Sequence, residues 1–556
     1  MNRRLKRIEM VKNKTGHAAV VEKIRSLLKD QKYIPANDLI NSLLNENPND
    51  DVALALSARI AFDLDKGDFG ASQAQKAIEI NSMNDEAYAL LGKYYYDKQM
   101  YDEAKNCYLK ANRINDSNPE VVIGMTNICL VFHKDDEALL FGESAVYLDP
   151  DNPLANMAYA DILRQKNRFE EAETYYRKAM HLDTKLPSSF LGLGIILYSM
   201  GRYEEAVDVY RRIPKDNLSD KIKWNMSLAY LSTGRWQMGY RYYLTGFSEK
   251  TRTPNRMTSI QKPMWKGEDL SDKTIMIWRE QGVGDEILFS YYYNEVIRRA
   301  KKVIIECEKR LIPIFKQSFP AAEVRPQSMS METIAQDGYV TYREVREDYD
   351  YHIPAMQLPQ FLYNNPKDIP IAEKSVFSIR DEVSQKWKQR VSELPGLKVG
   401  IIWRGGNVIR TRSLQYFSVS DMSRIFSVKG VTFVNLMYAE CAEEKQYIKD
   451  NYGVSLVEWD DLNLKDDFED VMALTANLDL VIGAGTCTSN IAGMMMTPTV
   501  IFSAIRPWTL YGGNKFHMMP NTVNLVKEKW NGDNSELDVK IAAIIERFKE
   551  TGKIQL

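Results

Sequence analysis

The sequence is poor in the features that staple or anchor a chain. Its 556 residues hold five cysteines: Cys107, Cys129, Cys307, Cys441 and Cys487. They are odd in number, widely spaced and without a Cys-x-x-Cys pair. This argues against a disulfide framework or a zinc site and for reduced thiols in a cytoplasm. No apolar run approaches the roughly 20 residues that a membrane span needs. Residues 1–16 are basic but no apolar segment follows them, so no signal peptide is expected. Charge of one sign is missing as well. The formal net charge is −2, which gives no broad pull toward nucleic acid or an anionic membrane, so an anion site has to be local. With 44% hydrophobic and 27% charged residues the composition is ordinary for a globular chain. The length implies roughly three to four folding units.

What is present is a repeat. Small residues fall at Ala36, Gly70, Ala104, Ala138, Ala172 and Ala206, each 34 residues after the last. A second column, seven residues on, reads Leu43, Ala77, Ala111, Ala145 and Ala179, and a third, of larger residues, reads Tyr88, Val122, Asn156, Phe190 and Trp224. Small residues at a fixed period mark where two helices of a hairpin press together, and bulky ones fill the space between layers. Turns fit this period: Asp149-Pro150-Asp151-Asn152-Pro153 separates two hairpins, and Gly201-Arg202 separates two helices of one hairpin. The segments Arg168–Ala179 and Arg202–Ala206 resemble the second helix of a tetratricopeptide repeat. The expected layout is a flexible N-terminus over 1–19 and a solenoid over 20–247. Such a solenoid is a binding surface without chemistry of its own. Tyr94, Tyr95, Tyr96, Tyr175 and Tyr176 are candidates either for a peptide groove or for packing between repeats.

Past Phe247 the pattern changes. Residues 248–271 carry Pro, Ser, Thr and Lys without a helical period and read as a linker. Then short apolar runs alternate with amphipathic stretches. Thr274–Trp278, Val303–Cys307, Lys398–Trp403, Val431–Leu436, Leu478–Ile482 and Thr499–Phe502 are candidate strands, and Leu288–Ala300 a candidate helix. Continuous apolar strands alternating with helices mean parallel α/β sheets. Two are expected, in lobes 272–395 and 396–556, with ligands bound beyond the carboxyl ends of their strands. After Trp278 the turn Gly282-Val283-Gly284 lets a ligand approach the backbone, and Asp285 opens a helix. A carboxylate there is a candidate general base; its other reading is a plain helix cap. In the second lobe, Arg404 to Asn407 with Arg410 and Arg412 combine a glycine turn and guanidinium groups, which suits a phosphate. Gly485-Thr486, with Ser489 and Asn490, opens another helix after a strand. Asp348 and Asp350 form an Asp-x-Asp, but such triplets arise easily by chance, and with no metal-ligand cluster in the cleft motifs no catalytic metal or other cofactor is expected.

Glu280-Gln-Gly-Val-Gly-Asp285, preceded by Pro263-Met-Trp265-Lys-Gly267, resembles the E-Q-G-L-G-D loop and P-x-W-x-G lead-in of repeat-containing glycosyltransferases related to the heptosyltransferases. Val399–Asn407 with Arg412-Ser413, Leu478–Gly493, Tyr349–Pro354 and the aromatics Trp508 and Tyr511 resemble further elements of that group in the same order. The resemblance implies a GT-B fold of two Rossmann-like lobes behind the solenoid, Asp285 as catalytic base and His352 as a second catalytic-site residue on the cleft side. It implies that Gly282, Gly284, Arg404, Asn407, Arg410, Arg412, Gly485, Thr486, Ser489 and Asn490 bind the donor. Relatives carry Asp-Thr and a following His where this chain has Gly485-Thr486 and Asn490. The domain order is similar to that of O-GlcNAc transferase and of bacterial flagellin glycosyltransferases. The implied activity is inverting, metal-independent transfer from a nucleotide-sugar to a hydroxyl of a protein acceptor, such as a flagellin-like subunit held by the repeats, in the cytoplasm. Self-association through the repeats is the other use of that surface. The other reading of the whole chain is a scaffold whose transferase half is degenerate, for which the Gly485 and Asn490 departures speak.

Overall fold

The computed structural model describes residues 2–249, 251–252, 256–257, 260–327, 346–406, 415–527 and 533–555, with side chains from residue 16 onward. Two compact units divide the chain, Met1–Leu193 and Gly194–Leu556. Among the described residues no helix is long and apolar enough to cross a membrane.

The first unit is a run of helical hairpins. After Asn2–Lys29 come Tyr33–Glu46, Asp51–Asp63, Gly67–Ile80, Asp85–Asp97, Tyr101–Ile114, Pro119–Val131, Asp135–Leu148, Pro153–Gln165 and Phe169–Leu182. The N-terminus expected to be flexible over 1–19 is instead the first part of a helix. No proline interrupts it, and its composition, rich in Lys and Arg, favours helix. Ala36, Ala104, Ala138 and Ala172 are fully buried, as are Ala77, Ala111, Ala145 and Ala179. Asn84, Asn118 and Asn152, 34 residues apart, accept from backbone N–H groups as helix N-caps. Asn115 and Asn118 also donate to Asp85, bonding one repeat to the next. Tyr175 and Tyr176 serve packing: Tyr176 is fully buried, and Tyr175 meets Tyr159 edge to face with centroids 4.7 Å apart.

The second unit begins inside the repeats. Its helices Tyr203–Arg211, Asp220–Ser232 and Trp236–Tyr243 continue the pattern. However, Leu231, Trp236, Tyr240 and Tyr243 belong to the core of the first sheet. That sheet has β1 (Thr274–Trp278), β2 (Lys302–Cys307), β3 (Glu323–Pro326) and β4 (Tyr351–Pro354), parallel, in the order β3-β2-β1-β4. The second has β5 (Leu397–Ile402), β6 (Val431–Asn435), β7 (Leu480–Ala484), β8 (Thr499–Ser503) and β9 (Thr522–Val526), parallel, in the order β6-β5-β7-β8-β9. Both orders reverse next to the first strand of their sheet, between β1 and β4 and between β5 and β7. Loops part there and leave a crevice at the carboxyl ends.

Two expected boundaries move. Helix Asp381–Ser392, expected in the first lobe, buries Val383, Trp387 and Val391 in the core of the second sheet, because those residues form one stripe at four-residue spacing. The described residues of the linker expected over 248–271 form a strap on the first sheet. Trp265 is buried and its backbone N–H donates to His352 O, while Arg252 and Arg256 are fully buried against Glu280 and Glu306. Charged and polar composition hid this, since each arginine is buried only because a carboxylate meets it.

Candidate functional site

A cavity of about 530 Å³ lies at the carboxyl ends of both sheets. The loop after β1 supplies Gln281 to Asp285, the loop after β5 Gly405, Gln415 and Tyr416, and the turn after β7 Gly485, Thr486, Cys487 and Asn490. Among the described residues, Arg310 and Lys465 are its cationic side chains and Asp285 its carboxylate.

Local chemistry fixes each piece. β1 stops at Trp278 and helix Val283–Phe289 starts a few residues later, with Gly282 as N-cap. Gln281 makes the turn with φ of 60°, a left-handed conformation rare for a residue with a side chain. The Asp285 carboxylate accepts from Gly282 N–H at 3.2 Å, so the cap reading holds, and the half-buried carboxylate also lines the cavity. Helix Cys487–Met494 begins at Thr486, whose hydroxyl accepts from Ser489 N–H. The two helices meet at their N-terminal ends. A Cβ on Gly284 would lie 3.1 Å from Cys487 Cα, and Asn490 Nδ2 donates to Gly284 O at 3.3 Å. Two sets of N-terminal N–H groups thus border one space, an arrangement that favours negative charge. Burial first, and the Asp285 charge next, push the Cys487 thiol up to about 12, so it stays protonated.

The structure brings Gly282, Gly284, Asp285, Gly485, Thr486 and Asn490 together. Ser489 sits under the cavity wall, fully buried, its hydroxyl donating to Ala484 O at 2.6 Å. Arg404 is not at the cavity: its Nε donates to Glu444 Oε1 at 2.7 Å and its Nη2 to Glu440 O at 2.7 Å. The Glu444 hydrogen bond raises the Arg404 pKa, and the guanidinium is held against that carboxylate. Asn407, Arg410 and Arg412 lie outside the described residues. His352 is not on the cleft side either. It sits inside β4, 3% exposed, with Trp278 Nε1 donating to its Nδ1 at 3.0 Å. The reason is the alternation of the strand, which turns this position into the sheet's packing. Asp348 is paired with Arg325, and Asp350 accepts from Thr274 N–H at the start of β1, the end of the sheet away from the cavity.

Sequence reasoning missed Arg310, Gln415, Tyr416, Tyr438 and Lys465. Arg310 and Tyr438 each follow the end of a strand, Cys307 or Asn435, by three residues; that rule alone would have picked them out. Lys465 has no such marker. Arg310 spans the two lobes: it is held by Glu308 and donates to Lys465 O at 2.9 Å and Asp466 at 3.2 Å. Tyr438 accepts from Gly406 N–H at 2.9 Å and also borders a neighbouring cavity of about 610 Å³ off β6, where Asn435 donates to Glu458.

Tetratricopeptide-repeat family profiles match residues 85–118, 137–187 and 189–221. The solenoid is therefore built of tetratricopeptide repeats. Protein FlbA of Caulobacter vibrioides is 30% identical over 309 residues, 54% of this chain and 51% of that protein. The chain thus spans about half the length of the curated relative it matches. Among solved structures, YrrB, described as a tetratricopeptide-repeat protein with an unusual peptide-binding site, is 21% identical over 31% of this chain and 89% of that one, with a TM-score of 0.25. A tetratricopeptide-repeat protein of Thermus thermophilus is 20% identical over 32% and 98%, with a TM-score of 0.28.

Proposed function

We propose that this chain is a glycosyltransferase of the GT-B kind, moving a sugar from a nucleotide-sugar to a hydroxyl of a protein acceptor held by the repeats. The observation that carries this reading is Asp285, set at a helix start on the cavity where the carboxyl ends of two parallel sheets meet. The acceptor hydroxyl gives its proton to Asp285 while its oxygen attacks the anomeric carbon. The bond from that carbon to the nucleotide phosphate breaks through an oxocarbenium-like state, and the configuration inverts. Arg310, Lys465 and the N–H groups that open helix Cys487–Met494 take up the charge of the departing phosphate without a catalytic metal. Arg410 and Arg412 join them on the sequence resemblance. The neighbouring cavity, with Asn435 and Glu458, suits the nucleoside. A flagellin-like subunit is the acceptor that the resemblance favours, in a cytoplasmic setting.

Nucleotide release from a panel of nucleotide-sugars, with and without candidate acceptors, tests the reading. Asp285→Asn keeps an acceptor for Gly282 N–H but not the base, so turnover should fall about 10²–10⁴-fold. A variant within a few-fold of wild type would reduce Asp285 to a cap. No turnover of any donor by the wild-type chain would leave the scaffold reading.

A further inference from the structure

Arg252 lies in the stretch whose composition reads as a linker, yet it is fully buried. Its guanidinium is pressed between the rings of Tyr243 and Phe247, 4.1 Å from each centroid. Nε donates to Glu280 Oε2 at 2.6 Å and Nη2 to Glu280 Oε1. Nη1 donates to Tyr243 O at 3.1 Å and Gln357 Oε1 at 3.3 Å. Glu280 Oε1 also accepts from Met356 N–H at 3.0 Å. One residue back, Thr251 O accepts from Gln281 Nε2 at 2.8 Å. The strap thereby grips the two residues that precede Gly282. Gln281 holds a left-handed backbone, which persists only where the surroundings over-determine it. A fully buried ion pair is a poor source of stability compared with apolar packing of the same volume. What the bidentate fork supplies is a fixed orientation.

We propose that Arg252 is a positioning residue: by clamping Glu280 and, through Thr251, Gln281, it sets the turn Gly282–Asp285 and the placement of the Asp285 carboxylate in the cavity. The last repeat helix, which ends at Tyr243, and the short helix Thr245–Ser248 take part, since Tyr243 and Phe247 form the walls around the guanidinium. This rests on the reading of Asp285 as the base, but the placement itself is measurable without substrate.

The test is amide hydrogen exchange on the full-length chain carrying Arg252→Lys, which keeps the charge and loses the fork. Exchange over residues 279–287 should rise at least tenfold, while β8 exchanges as in wild type. Wild-type exchange over 279–287 in the folded variant overturns the proposal. Where wild-type turnover of a nucleotide-sugar is measured, kcat should fall about tenfold with the donor KM changed less than threefold; a raised KM with unchanged kcat also overturns it. Absent wild-type turnover sinks the transferase reading and leaves the exchange result to decide the positioning. If the lysine variant loses its helical circular dichroism, Gln281→Ala takes its place. That half-buried residue is removed with the ion pair intact. Exchange over the same segment should rise, and unchanged exchange there overturns the clamp.

Discussion

His352 carries a prediction at the scale of a single ring. Trp278 Nε1 donates to Nδ1, so the ring is neutral with its proton on Nε2. Burial first, and the Arg256 charge next, lower its pKa to about 4. The folded value lies below the unfolded value of about 6.5, so folding disfavours the charged form. The stability that follows is complete above pH 6.5 and is lost as pH falls toward 4. His352→Asn keeps an acceptor for Trp278 and removes the titration. Between pH 6.5 and 4 it should lose less stability than wild type, by up to about 3 kcal/mol. Denaturation midpoints across that range measure this. The variant should also keep its turnover within a few-fold; a loss of 100-fold would restore His352 to the reaction.

At the scale of the helical hairpin, the turn between the two helices sets the expectation. Gln31, Asp65, Gln99, His133 and Asn167 recur every 34 residues with φ of 55° to 62°, and Gly201 continues the series at 75°. The left-handed residue closes the first helix of each hairpin. A side chain there costs about 1–2 kcal/mol. A Cβ at Gly201 would meet nothing within 4 Å, so Gly201→Ala should lower stability by about 1 kcal/mol from backbone strain alone. At exposed His133 the reverse change, His133→Gly, relieves strain but frees the unfolded chain. It should stabilise by less than about 1 kcal/mol. Urea unfolding followed by circular dichroism reads both. A neutral Gly201→Ala would mean that the turn relaxes out of the left-handed region.

On the scale of the whole molecule, the place where the chain divides decides which fragments stand alone. The boundary at Leu193 and Gly194 leaves the last repeat helices with the sheets. Trp236 meets Tyr511 with centroids 4.7 Å apart, and Tyr240 bonds Tyr511 hydroxyl to hydroxyl at 3.1 Å. A chain beginning at residue 250 loses Leu231, Trp236, Tyr240 and Tyr243 from a shared core and should not unfold cooperatively. One beginning at Pro187 retains them. It should fold and, on the proposed function, turn over nucleotide-sugar and fail to glycosylate the protein acceptor. Acceptor modification at the full-length rate would show that the earlier repeats do not select the acceptor. Cooperative folding from residue 250 would show that those four side chains are dispensable.

The periods were legible in the amino acids themselves. The alanine columns announce hairpins because only small side chains let two helices touch at a fixed spacing, and Thr274–Trp278 announces a strand buried on both faces because it is apolar from Ile275 on. The loop from Gln281 to Asp285 and the turn at Gly485-Thr486 were legible because a strand, a glycine and a helix start follow one another locally. Strands β3, β4 and β9 were not: Glu323–Pro326 and Tyr351–Pro354 are short and mixed in polarity, and pairing alone makes them strands. The tertiary structure also decided that Arg252 belongs inside, because its carboxylate partner is 28 residues away. It decided that Arg404 is spent on Glu444, that His352 faces Trp278, and that Arg310 and Lys465 share a cavity. Local pattern sets which way a segment folds, but the partner of a charge is chosen by residues distant in the chain, and only packing brings them within a hydrogen bond.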